Sequence, residues 1–141
     1  MEPPPLRPAA QADLPAVLAL WTAAGSVPTI TDSEAALRTL LAHDPAALLL
    51  AWCDHELAGT LIVTWDGWRG GFWRLAVAVA HRRRGIGRSL VTAGEERLHA
   101  LGAHRISVLV AADAEPAFAF WAALGYTREH HRARIVKDLG A

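Results

Sequence analysis

The densest chemistry in the sequence lies where Leu75-Ala76-Val77-Ala78-Val79-Ala80 runs into His81-Arg82-Arg83-Arg84-Gly85-Ile86-Gly87-Arg88-Ser89-Leu90. An apolar run of strand type enters a basic, glycine-bearing turn, and that turn opens a helix. Such a turn aims several backbone N–H groups at one point, and the positive end of the helix dipole adds to them. Gly85 and Gly87 let the main chain approach an anion with no Cβ in the way. Arg82, Arg83, Arg84 and Arg88 can add charge-assisted hydrogen bonds. A pyrophosphate suits this arrangement better than a carboxylate does.

Two familiar pyrophosphate readers do not fit. The phosphate-loop pattern needs Gly-Lys-Ser/Thr, which is absent, and the dinucleotide fingerprint needs a third glycine where Leu90 stands. Asp113 could pose as a ribose acid, but too little chain follows it for the remaining strands of a doubly wound sheet. A solvated basic turn remains the plainer reading of the arginines taken alone.

The elements that must position this loop can be read along the chain. Leu6-Arg7-Pro8 opens as a short strand. A helix follows, with Asp13 as N-cap, Pro15 in its first turn, and Val17, Leu20, Trp21 and Ala24 at helical spacing before Gly25. Thr31-Asp32-Ser33-Glu34 has the capping-box form, and Leu37, Leu40 and Leu41 stripe a second helix that Asp44-Pro45 stops. Strands Ala47–Cys53 and Leu57–Trp65 flank a polar turn. A glycine-bearing stretch leads to Phe72–Val79, apolar at nearly every position as a central strand should be. A helix from Ser89 to Leu101, a strand Arg105–Val110 and a helix Glu115–Leu124 capped by Asp113 come next. One or two closing strands are expected from Tyr126 onward, the clearest being Ala133–Leu139. The order β-α-α-β-β-β-α-β-α-β(-β) describes a mixed α/β fold.

Length and composition bound this reading. The chain has 141 residues, 52% hydrophobic and 20% charged, with mean hydropathy +0.20. One domain over residues 1–141 is expected, and disorder is excluded. Fourteen Lys+Arg balance fourteen Asp+Glu, so the basic field of a nucleic-acid binder is missing and no nucleic-acid partner is expected. Cys53 is the single cysteine, which rules out an intrachain disulfide and a cysteine metal site; its apolar neighbours suggest a buried, inert thiol. Met1-Glu2-Pro3-Pro4-Pro5 lacks a signal-peptide pattern, and the apolar run Ala46–Cys53 is far short of the roughly 20 residues of a membrane span. A cytoplasmic protein with no membrane partner and no metal is the expectation.

Arg82-x-x-Gly85-x-Gly87, between a strand and a helix, resembles the coenzyme A loop of the GNAT superfamily of acyl-CoA-dependent N-acyltransferases. Ala117-Phe118-Ala119-Phe120-Trp121-Ala122-Ala123-Leu124-Gly125-Tyr126 is similar to that superfamily's late Phe-Tyr-x-x-x-Gly-Phe helix end. Leu6-Arg7-Pro8-Ala9 with Asp13-Leu14-Pro15 is similar to its usual start. The resemblance implies an α/β fold with a mixed, mostly antiparallel central sheet flanked by helices, two central strands splaying around the cofactor. It also implies an N-acetyltransferase using acetyl-CoA as cosubstrate.

Carried over by resemblance, Leu75, Ala76 and Val77 pair with the pantetheine arm. Arg82, Arg83, Arg84, Gly85, Ile86, Gly87 and Arg88 surround the pyrophosphate. A backbone N–H near Val77 would hold the thioester oxygen, and a neutral amine would attack directly. The acceptor would be a primary amine of a small molecule, an amino acid or a protein N-terminus, and the protein a monomer or homodimer.

Departures from the family pattern leave roles open. Trp121 stands where many relatives carry a tyrosine that protonates the leaving thiolate; an indole N–H cannot act as that acid. Trp121 would instead pack against the pantetheine or the core. Tyr126 is a substitute acid or simply an aromatic closing its helix. Ala114 replaces a frequent asparagine. For the base, Asp66 is the nearest carboxylate, although Asp66-Gly67 is also a hairpin turn; His81, taken as a surface residue, and His43, Glu34 and Glu129 are further options. Arg74 interrupts an apolar strand and needs a partner, either a structural carboxylate or that of the acceptor. Arg69 could serve the acceptor likewise, with Trp65, Trp68 and Trp73 walling an apolar amine pocket. A catalytically silent acyl-CoA-binding sensor is the alternative function.

Overall fold

The computed structural model describes residues 4–111 and 114–140; Asp113, expected as a helix cap, lies outside them, as do Met1, Glu2 and Pro3. The elements are β1 (Leu6–Pro8), α1 (Leu14–Ala23), α2 (Glu34–His43), β2 (Leu48–Cys53), β3 (Glu56–Trp65), β4 (Gly70–Val77), α3 (Ile86–Leu101), β5 (Ile106–Val108) and α4 (Glu115–Ala123). Contacts divide the chain into two compact units, one ending at Val108 and one beginning at Leu109.

The first unit holds a five-stranded sheet in the order β1-β2-β3-β4-β5. Its first three pairings are antiparallel and β4–β5 is parallel, as expected of a mixed, mostly antiparallel sheet. Asp54 and His55, with φ of 47° and 70°, turn β2 into β3; two successive left-handed residues match the twist of a tight hairpin. One face buries Leu14, Val17 and Trp21 of α1 and Leu37 and Leu41 of α2 against Leu48, Leu50, Ile62 and Ala76. The other face receives α3. Its Gly94 brings the helix so close that an added Cβ would lie 2.7 Å from Phe72 Cε1. Burying each of these large side chains contributes about 1.5–3 kcal/mol.

Local chemistry adjusted several boundaries. Ser33 Oγ, not Thr31, caps α2 by accepting from Ala36 N at 3.1 Å, which frees Asp32 for other partners. The Asp13 carboxylate makes no cap bond to α1; it accepts from Ala10 N at 2.8 Å and from both Arg7 nitrogens. Helix α3 starts at Ile86, ahead of the expected Ser89, because Gly85 takes φ 78° and releases the chain directly into helix. Cys53 is half-buried, rather than sealed in the core.

Strand β4 carries a bulge. Thr60 faces Ala76 and Ile62 faces Trp73, so Arg74 and Leu75 stand opposite Leu61 alone. In a regular strand Phe72 and Ala76 would share a face. Here Phe72 meets α3 while Ala76 joins the α1/α2 cluster. The extra residue, Arg74, has φ 52°.

The second unit is described by itself. Pro116 sits in the first turn of α4, and Gly125 with φ 93° ends it. Tyr126 N donates to Trp121 O at 3.0 Å, and the two rings meet edge-on at 4.9 Å. The expected closing strands do not form: none of the described residues 127–140 is in a strand, and Ile135 and Leu139 are exposed. A segment becomes a strand only where its N–H and C=O groups find a neighbouring chain, and the described strand pairings include none of these residues.

Candidate functional site

Strand β4 pairs with β5 only through Gly70, Gly71 and Phe72. β4 runs on past Phe72 to Val77, while β5 ends at Val108. Arg74–Val77 thus lies past the last β4–β5 pairing, where sheet-edge pairing with an amide-bearing ligand would take place. The bulge at Arg74 lies within this stretch.

The end of β4 delivers the chain to the basic loop. Ala78 N donates to Ala58 O at 2.8 Å, which keeps the exit of β4 on β3. A single 3₁₀ turn, Val79–His81, leads into Arg82. The Arg82 Nε–H donates to Val77 O at 3.2 Å, so this arginine braces the strand end. Arg83 and Gly85 have φ of 64° and 78°, and these left-handed residues wind the loop into α3. No side chain caps the α3 N-terminus, so its first N–H groups point into the loop with the dipole's positive end behind them. Arg82, Arg83, Arg84 and Arg88 are exposed around it.

Ile86 contributes only main chain to this loop: its side chain is buried against Gly59. His81 overturns its expectation as a surface residue, being 8% exposed. Its Nε2 lies 3.2 Å from Glu56 Oε2 and its Nδ1 3.4 Å from Arg84 Nη1. A guanidinium only donates, so Nδ1 accepts and Nε2–H donates to the carboxylate. One neutral tautomer satisfies both contacts.

Arg74 is held from both ends. Its guanidinium engages Asp32 through Nη2 and through Nε at 3.1 Å, and donates to Val27 O at 3.1 Å. It also lies over the Trp21 ring, 5.6 Å from the centroid. The partner that a charge in an apolar strand requires is therefore Asp32, in the α1–α2 connection. A small, solvent-open cleft beside it is lined by Leu18, Trp21, Thr22, Ser26, Pro28 and Asp32.

Other candidates lie elsewhere. Asp66 sits at the tip of the β3–β4 hairpin, accepting from Arg69 N at 2.7 Å and Trp68 N at 2.8 Å. These bonds hold its carboxyl below the ordinary carboxylate range, which weakens it as a base. At about 3.3 Å per residue, β4 separates that tip from Val77 by roughly 23 Å. Trp68, 69% exposed, carries the Arg69 guanidinium over its ring at the same tip. Trp73 Nε1 donates to Thr64 Oγ1 at 3.0 Å. Leu75, Ala76, Val77 and the loop are thus brought together, whereas Asp66, Trp68 and Arg69 are grouped at the opposite end of β4. Trp121 and Tyr126 belong to the second unit, as does the pair Glu129–Arg132. Glu34 pairs with Arg38.

Thr60 was not singled out by sequence reasoning. It is fully buried, accepts from Trp21 Nε1 at 2.8 Å and donates to Arg74 O at 2.9 Å. The available signal was a hydroxyl interrupting the apolar run Leu57–Val63, just as Arg74 interrupts the next strand. Among the described residues no cluster of His, Cys, Asp or Glu could hold a metal, and no helix is long and apolar enough to cross a membrane.

Comparison with known proteins agrees with this architecture. The profile of the Acetyltransferase (GNAT) family matches residues 14–126. An acetyltransferase of Pectobacterium atrosepticum is 31% identical over 116 residues, covering 82% of each chain. One of Photorhabdus laumondii is 30% identical over 125 residues, covering 89% of this chain and 87% of the relative. Among solved structures, the PaiA N-acetyltransferase of Thermoplasma acidophilum in complex with coenzyme A superposes with TM-score 0.74 at 15% identity, covering 89% and 90% of the two chains. The aminoglycoside 6′-N-acetyltransferase of Acinetobacter haemolyticus gives TM-score 0.71 at 22% identity, covering 96% and 99%. The short parallel β4–β5 pairing, the uncapped α3 N-terminus behind an arginine-rich loop, and these matches over most of the chain agree: it belongs to the GNAT acetyltransferase family.

Proposed function

We propose that the protein transfers an acetyl group from acetyl-CoA to a primary amine of a small molecule, an amino acid or a protein N-terminus. The observation that carries this reading is the uncapped α3 N-terminus behind an arginine-rich loop at the end of β4, a strand that runs on past its last β5 pairing. The residues fit the cosubstrate in two independent ways. The stretch of β4 past its last β5 pairing, Arg74–Val77, suits main-chain pairing with the amides of the pantetheine arm. Main-chain N–H groups at Gly85–Arg88, with exposed arginines around them, suit its pyrophosphate. Acetyl-CoA, when bound, supplies an activated acetyl thioester.

Arg83, Arg84 and Arg88 hold the charged end, and Leu75, Ala76 and Val77 align the arm by main-chain pairing. The N–H near Val77 stabilises the oxygen on which charge develops as the amine attacks. Arg82 keeps the Val77 peptide in place. The cleft beside Asp32 receives the acceptor. A polycationic acceptor is disfavoured there, because the carboxylate lining it is already neutralised by Arg74.

The test is thermal unfolding with and without acetyl-CoA, followed by thiol release over a panel of amino acids, small amines and peptide N-termini. Ligand at 100 times its Kd stabilises by about 2.7 kcal/mol. No shift at saturating cosubstrate overturns the reading. A shift without thiol release on any amine makes the protein an acyl-CoA-binding sensor.

A further inference from the structure

Arg74 occupies a left-handed conformation, φ 52°, that glycine adopts freely and an arginine adopts only under constraint. Its main chain and side chain are secured by different groups. Thr60 Oγ1 donates to its carbonyl at 2.9 Å, and the same oxygen accepts the Trp21 indole N–H at 2.8 Å. Asp32 and Val27 O hold the guanidinium, which also stacks over Trp21. Thr60 is thus a fully buried hydroxyl joining α1, β3 and β4 at the one residue that makes the bulge.

A hydroxyl buried in an apolar sheet face costs free energy unless both its hydrogen and a lone pair are used. At Thr60 both are used. The carbonyl that receives its hydrogen belongs to the residue added to β4 against Leu61. Beyond that residue the main chain of Leu75–Val77 turns over, and Ala76 changes face relative to Phe72. The same Arg74 reaches Asp32, which lines the cleft. One network therefore fixes both the peptide groups of β4 and the wall of the cleft beside them.

We propose that Thr60 is a positioning residue for acetyl transfer. It holds the Arg74 bulge so that the β4 main chain and the cleft wall keep one relative placement. This rests on the reading of β4 as the strand that aligns the thioester. Thr60 touches neither substrate. Its effect is on alignment, and misplacement of reacting groups by about 1 Å can cost on the order of 100-fold in rate.

The experiment compares Thr60→Val, which keeps the shape and loses the hydroxyl, with Thr60→Ser, which restores it. Expected for Thr60→Val is a fall in kcat of about 10-fold or more, with KM for acetyl-CoA within about 3-fold. Thr60→Ser should recover most of the loss. In the unliganded protein, Thr60→Val should also shift the amide NMR signals of Arg74–Val77 and the Trp21 indole signal. Should Thr60→Val fail to fold, Thr60→Ala carries the test: it removes the hydroxyl without adding bulk and should lower kcat in the same selective way, again with recovery in Thr60→Ser. Wild-type kcat in a folded Thr60→Val, or equal losses in cosubstrate affinity and kcat that serine does not reverse, overturns the inference. A wild-type protein that does not bind acetyl-CoA instead overturns the functional reading and this inference with it.

Discussion

The Arg84 guanidinium and the buried imidazole of His81 meet at 3.4 Å, Nη1 to Nδ1, while the far side of that ring faces Glu56. A loop arginine is thereby tethered to the β2–β3 hairpin end through a neutral histidine. Removing the ring as an acceptor, by His81→Phe, leaves the guanidinium without that tether. Losing one hydrogen bond of about 1 kcal/mol should raise KM for acetyl-CoA by roughly 5-fold and leave kcat nearly unchanged. His81→Asn, which keeps an acceptor near the Nδ1 position, should recover part of it. Steady-state kinetics with a double-mutant cycle against Arg84→Ala checks the coupling; additive effects would show that the two residues act independently.

Arg83 stands at φ 64° in the loop, a conformation costing a non-glycine residue about 1 kcal/mol. Arg83→Gly relieves that cost, although glycine gives back part of it by loosening the unfolded chain. The melting temperature should hold steady or rise slightly, while KM for acetyl-CoA rises because a cation is lost beside the pyrophosphate. A fall in both stability and affinity would contradict the assignment of a strained backbone with a ligand-facing side chain.

Gly94 is the contact point of α3 with the sheet. An alanine there would bring Cβ to 2.7 Å and 2.9 Å from two Phe72 ring carbons and to 3.1 Å from Val63 Cγ2. Overpacking of this kind costs about 1–3 kcal/mol. Gly94→Ala should therefore lower the denaturation midpoint clearly in chemical unfolding, against the usual gain of alanine over glycine inside a helix.

Asp13 accepts two hydrogen bonds from Arg7, at 2.8 Å and 3.0 Å. Arg7, then the Ala10 N–H, hold its carboxyl below the ordinary value of 3.8. A carboxyl lowered in the folded state contributes stability that is present above 3.8 and is lost as pH falls through the lower folded value. Asp13→Asn should thus be less stable than the parent at pH 7, by up to about 1 kcal/mol for a partly exposed pair. The difference should shrink as the melts are repeated below pH 4. A deficit unchanged at acid pH would assign the effect to something other than this ion pair.

Much of the architecture was legible in the chain. The apolar runs Ala47–Cys53 and Leu57–Trp65 marked strands, and the stripe Leu90–Leu98 with Gly102 marked a helix from Ser89, which the structure begins earlier, at Ile86. The strand, the glycine-bearing basic turn and the helix were legible too, because they follow one another without interruption and local sequence alone brings their N–H groups together. Local pattern failed where pairing partners decide. Ala133–Leu139 was expected as a closing strand and is not in one, because local sequence carries no information about a pairing neighbour.

What tertiary structure alone decided concerns residues distant in sequence. Arg74 announced that it needed a partner, but only folding chose Asp32, 42 residues away. His81 looked like a surface residue until Glu56 and Arg84 closed over it. Thr60 gained its role only when a bulge in the next strand turned one carbonyl toward it. The sequence by itself determined a basic, glycine-bearing strand-to-helix loop in a mixed α/β fold, since those features depend on neighbours along the chain. The placement of the β4 bulge against the cleft came from packing, because hydrogen bonds between separate elements are set by three-dimensional register and not by local spacing.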